Sequence, residues 1–141
     1  MALKSLFPEE MMEGKGSNSL TLEIIAGKLT YFHLQAHLLH WQTFGGFEHA
    51  ALGDMYELLF SLKDEIIEKI MGYQGRRIKS FKIDLMKDYS PGASTLLASQ
   101  IIEFANQLEE FGKSSNMPDI ENISQALSGD IAKIKYRLTL T

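Results

Sequence analysis

Apolar residues return every three or four positions in four separate stretches of this chain, and that rhythm makes a bundle of amphipathic helices the simplest way to bury them. The first stretch runs from Leu20 to Thr43 with Leu22, Ile25, Leu29, Phe32, Ala36 and Leu39 on one stripe. Asn18 or Ser19 is expected to cap its start, and Gly45-Gly46 to stop it. The second, Phe47 to Tyr73, carries Leu52, Met55, Leu59, Leu62, Ile66 and Ile70, with Gly75 as its end. A third opens at Ser90-Pro91, where a first-turn proline lacks only an N–H the helix does not use. Its stripe is Leu97, Ile101, Phe104, Leu108 and Phe111, and Gly112 follows. The fourth begins near Pro118-Asp119 and repeats at Ile120, Ile123, Leu127, Ile131, Ile134 and Leu138. No stretch alternates as a strand would.

Gly45-Gly46 and the interval from Gly112 to Pro118 are short, so the helices they join are expected to be antiparallel neighbours. The connection from Arg76 to Ser90 is long enough to cross a bundle, as happens between the second and third helices of ferritin-like folds. Its Ile78–Leu85 portion is expected to hold a short helix. Residues 1–17 read as a flexible N-terminal segment, and residues 18–141 as a single four-helix domain. The start has no long apolar run, so neither a signal peptide nor a membrane span is expected and a cytoplasmic protein is the default.

The chain has no cysteine, which removes disulfides, thiolate zinc sites, iron–sulfur clusters and cysteine nucleophiles together. Any metal must be held by imidazole and carboxylate, a donor set that suits iron, manganese or zinc. With 14 Lys and Arg against 18 Asp and Glu, the net charge is −4, and the N-terminal segment has no basic tail. Binding to DNA is therefore not expected. Arg76-Arg77-Ile78-Lys79, with Lys82, reads as a solvated loop.

All four histidines fall between positions 33 and 49. His33, His37 and His40 line one side of the first helix, His49 opens the second, and Asp64 and Glu68 share a face deeper in the second. Taken singly each is an ordinary surface group, and Asp64 and Glu68 could simply pair with Lys63 or Lys69. Trp41 reads as a core or interface aromatic. Along one helix, His49 and Asp64 lie about 22 Å apart, so they cannot hold one ion within a single chain. A site using both needs an antiparallel second copy across a two-fold axis. The Glu-x-x-His step of di-iron bundles, P-loops, dinucleotide-binding glycine patterns and zinc-protease motifs are absent.

The order His40-Trp41, a glycine turn, His49, then Asp64-Glu65-Ile66-Ile67-Glu68-Lys69-Ile70 resembles the Dps (mini-ferritin) family, and the final helix resembles that family's last helix. The turn between the two histidines is a few residues shorter than is usual there. The resemblance implies an inter-subunit ferroxidase site, with His40 and His49 from one subunit and Asp64 and Glu68 from its two-fold mate. It also implies a hollow homo-oligomer, typically of twelve subunits, that oxidises Fe(II) with peroxide or oxygen and stores the ferric iron. One departure is Gly53, which stands where the family usually has a carboxylate one turn after the second histidine, with Asp54 and Glu57 nearby. The competing reading is a non-catalytic ferritin-like structural or binding protein with a degenerate metal site.

Overall fold

A computed structural model describes residues 19–140, so the expected N-terminal segment and Asn18 lie outside the described residues. The described residues form four helices and no strand: α1 Leu22–Gln42, α2 Gly46–Gln74, α3 Ala93–Ser114 and α4 Pro118–Arg137. Helix α1 packs chiefly on α2, and α3 on α4, while α2 also meets α4. No described helix is long and apolar enough to cross a membrane.

The core is built from the stripes. Leu22, Ile25, Leu29, Phe32, Ala36 and Leu39 of α1 are buried, as are Leu52, Met55, Leu59, Ile66 and Ile70 of α2. From α3 come Leu97, Ile101, Phe104, Leu108 and Phe111, and from α4 come Ile120, Leu127, Ile131 and Ile134. Each fully buried side chain of this size contributes about 1.5–3 kcal/mol over an exposed one. Leu62, Ile123 and Leu138 pack only partly buried at the edge of that cluster.

The helix ends show where local signals compete. Thr21, not Ser19, caps α1: its Oγ1 accepts from the Ile24 amide at 3.2 Å, immediately before the first fully buried residue, Leu22. Gly75 closes α2 in the left-handed region with φ 66, and the Arg76 amide reaches back to the Met71 carbonyl at 3.3 Å. The expected start of α3 at Ser90-Pro91 is displaced. Gly92 adopts φ 87 and ψ −7, and the Ala93 amide donates to the Ser90 carbonyl at 2.9 Å, so Ser90–Ala93 is a type II turn and the helix begins after it. Gly112 does not end α3 either. It is buried where α4 begins, and a Cβ there would stand 2.7 Å from the Glu121 amide nitrogen. Asn116 takes the left-handed position instead, with φ 57. Pro118 does open α4, whose first turn holds Asp119 and Glu121 and whose last holds Lys135 and Arg137, each sign favourable to the helix dipole.

The stretch from Ile78 to Leu85 is not helical; residues 77–90 form no regular element. Side chains of α1 instead tie the connection down at Lys79, Lys87 and Tyr89, satisfying backbone polar groups there and holding the chain extended along the helix. Glu23 accepts from the Lys79 amide at 2.9 Å and also holds the Arg76 guanidinium through two bonds of 2.7 and 2.9 Å. Gln35 donates to the Lys87 carbonyl and accepts from the Lys87 amide, both at 2.8 Å. Gln42 accepts from the Tyr89 amide at 2.7 Å. Between these points the Lys82 carbonyl sits against Gly27, in the space that any Cβ would fill.

Candidate metal centre

Helix α1 turns into α2 within three residues, which sets His40 in the last turn of one helix against His49 in the first turn of the next. Their rings stack with centroids 3.8 Å apart and planes 20° from parallel. Each ring is fixed by the other's backbone. His40 Nδ1–H donates to the His49 carbonyl at 2.8 Å, and His49 Nδ1–H donates to the His40 carbonyl at 2.8 Å. A carbonyl can only accept, so both rings carry a proton on Nδ1, and Nε2 is the nitrogen left to present a lone pair to a metal. This is the arrangement by which a backbone carbonyl orients a metal-binding imidazole. One cation cannot lie in the planes of two stacked rings, so the pair offers two separate nitrogen donors.

Gly53 belongs to the same construction. A Cβ there would stand 3.1 Å from Cε1 and 3.4 Å from Nδ1 of His40, so the ring rests on bare backbone. A carboxylate at this position would press on the ring it was meant to assist. Asp54 is directed elsewhere, accepting from Arg137 of α4 at 2.6 Å. Asp64 and Glu68 are exposed on α2 and make no hydrogen bond or ion pair with any described residue. The alternative pairing with lysine is not made: Lys69 takes Glu65 at 3.2 Å and Asp119 at 3.4 Å. The structure thus brings His40 to His49 and leaves Asp64 and Glu68 apart from them. Among the described residues, no three His, Asp or Glu side chains gather where they could hold a metal.

Aromatic rings surround the pair. His37 stacks on Tyr56 at 3.9 Å and 12°, and packs on Trp41, also at 3.9 Å. His33 meets Phe60 at 5.3 Å and Tyr56 at 6.0 Å. Burial, then neighbouring Lys63 and His37, pushes the His33 imidazole below the usual histidine range, and burial followed by His40 does the same for His37. Trp41 is not a core residue of the single chain; it is 67 % exposed, Phe44 and Phe47 are exposed at the turn that follows it, and Phe60 is exposed midway along α2. Trp41, Phe44 and Phe47, at the turn end of the hairpin, form the kind of apolar surface that a protein partner covers.

Glu48, beside His49, was not singled out by its sequence context. Its Oε1 accepts from Thr43 Oγ1 at 2.6 Å and from the Tyr89 hydroxyl at 2.8 Å, and its Oε2 accepts from Ser94 Oγ at 2.6 Å. Burial pushes this carboxyl up, but the three hydroxyl donors outweigh it and hold it below the ordinary range. Glu48 therefore fastens the α1–α2 turn to the start of α3, behind the histidine pair. An acid in the first turn of a helix, a position the helix dipole favours, was the available signal.

No curated protein and no solved structure matches the chain. Residues 40–138 match a family of unknown function, DUF5856, and the match takes in His40, His49, Gly53, Asp64 and Glu68. It spans more than half of the chain, and the protein therefore belongs to the DUF5856 family.

Proposed function

We propose that this protein is a Dps-like ferroxidase with a ferritin-like bundle, storing and detoxifying iron in the cytoplasm as a homo-oligomer built on two-fold pairs. The observation that carries the reading is the reciprocal lock of His40 and His49, which presents two Nε2 lone pairs in a fixed tautomer. Asp64 and Glu68, without partners among the described residues, are the carboxylates of the two-fold mate in this reading. The exposed rings of Trp41, Phe44 and Phe47 favour a covered surface at the same end of the hairpin. A crossover between α2 and α3 is supported by the contacts of residues 79–89 with α1 at Glu23, Gly27, Gln35 and Gln42.

Iron is the substrate. Two Fe(II) ions each give one electron to peroxide, which takes up two protons and leaves as water; dioxygen is the alternative acceptor. Imidazole nitrogen and carboxylate oxygen together form a donor set that accepts iron in either oxidation state. The decisive experiment is stopped-flow absorbance after mixing Fe(II) with apo-protein, with peroxide or air as oxidant, for the wild type and Asp64→Ala. Oxidation well above the protein-free rate, nearly abolished in Asp64→Ala at unchanged oligomer size, is the expected result. A wild-type trace no faster than buffer would sink the ferroxidase and leave the degenerate, non-catalytic reading. That second reading has its own support in Gly53, which supplies no ligand atom.

A further inference from the structure

The four histidines of the chain form one continuous file. Ring centroids are 6.1 Å apart from His33 to His37, 6.0 Å from His37 to His40, and 3.8 Å from His40 to His49. The lower pair is accounted for by its carbonyl locks. The upper pair is not, because His33 Nδ1 is enclosed and has no hydrogen-bond partner among the described residues. An orphaned buried polar atom in a folded protein calls for an occupant such as a water or an ion.

We infer that His33 and His37 form a second divalent-cation site, distinct from His40 and His49, that takes a late first-row ion such as Zn2+ with water completing its shell. The two residues lie four apart on α1, so their side chains project from one face a turn apart. With metal–nitrogen bonds of about 2.0–2.1 Å, two imidazoles on one ion have ring centres about 5.2 Å apart in tetrahedral geometry and about 6.4 Å apart at the linear extreme. The observed 6.1 Å lies between the two, so the rings close by about 1 Å to share a tetrahedral ion, a shift within the reach of side-chain rotation. An all-nitrogen pair favours zinc, nickel or copper over iron, manganese or magnesium. Tyr56 and Phe60 hold the rings in place without competing for the ion. Lys63 is the opposing charge, since its ammonium acts on His33.

The site stands whether or not His40 and His49 serve a ferroxidase, and the test separates the two. Full-length protein carrying His40→Gln and His49→Gln is titrated with Zn2+ alone by calorimetry. One Zn2+ per chain is expected to remain. Adding His33→Phe, which keeps a ring against Phe60 and Tyr56, should weaken that binding at least tenfold without lowering the metal-free melting temperature. Lys63→Gln should tighten it. In the wild type, Zn2+ should shift the imidazole NMR signals of His33 and His37. No Zn2+ binding in the double variant, or binding that His33→Phe leaves unchanged, overturns the inference, as do undisturbed His33 and His37 signals. Loss of rapid Fe(II) oxidation alone would count against the ferroxidase and not against this site.

Discussion

Removing the Glu48 carboxylate tests whether the clasp behind the histidine pair holds the two hairpins together. Three hydroxyls converge on it, at 2.6, 2.8 and 2.6 Å, from the α1–α2 turn, the long connection and α3. Hydrogen bonds to a charged group contribute about 1.5–3 kcal/mol each, and the half-buried position argues for the low end. Against this stands the cost of burying the carboxylate itself, which offsets part of the sum. In Glu48→Ala the Ser94 hydroxyl, only 2 % exposed, loses its acceptor. The net expected loss is about 3 kcal/mol. Glu48→Gln keeps an acceptor for Thr43 and Tyr89 but loses the charge, and about 1–2 kcal/mol is expected. Urea denaturation at one fixed protein concentration measures both, with the midpoint moving and the slope constant. The pH dependence supplies a second reading. Because the folded carboxyl is held below its ordinary range, its contribution is present above that range and is lost as pH falls through the lowered value. The gap between wild type and Glu48→Gln should therefore close in acid. A loss below about 1 kcal/mol in Glu48→Ala, or a gap independent of pH, would refute the clasp.

Glu23 is held at about 2, against an ordinary 4.5, chiefly by the Arg76 guanidinium and then by the Lys79 amide. Its stabilising contribution is complete above 4.5 and vanishes as pH falls toward 2, so Glu23→Gln should lower the melting temperature at neutral pH, by less than Glu48→Ala, and match the wild type near pH 2. Gly27→Ala would ordinarily stabilise a helix, but its Cβ meets the Lys82 carbonyl, and a net loss of about 1–3 kcal/mol by urea denaturation is expected. Gly129→Ala, with nothing within 4 Å of its Cβ, should instead gain up to about 1 kcal/mol. Gly53→Ala should tilt His40, shifting the ring NMR signals of both His40 and His49 and slowing Fe(II) oxidation, whereas Gly129→Ala leaves both unchanged.

The helical stripes were legible because burial follows the helical period directly: every stripe residue of α1 named from sequence is buried. The stacking of His40 on His49 was less legible, although both flank a short antiparallel turn at almost equal distances. Glycine and proline misled where their local meaning was double. Pro91-Gly92 suits a type II turn as well as a helix start, and Gly112 serves a close helix approach rather than a stop. The Ile78–Leu85 stretch has helical spacing, but the connection that contains it is tied to α1 by Glu23 at Lys79, Gln35 at Lys87 and Gln42 at Tyr89, partners many positions away that no local pattern reveals. Gly53 looked like a deletion of a ligand, and only the placement of the His40 ring explains what the missing side chain makes room for.

The pairing of α1 with α2 and of α3 with α4 has a consequence for how the chain assembles. Each hairpin is closed by a few residues, so its contacts are local and can form quickly, while docking one hairpin on the other is the non-local and slower step. Residues 75–92 then act as a leash that keeps the second hairpin within reach of the first. The bonds that Glu23, Gln35 and Gln42 make to that leash shorten its free length as they form, so each one raises the effective concentration of α3 and α4 at the surface they must cover.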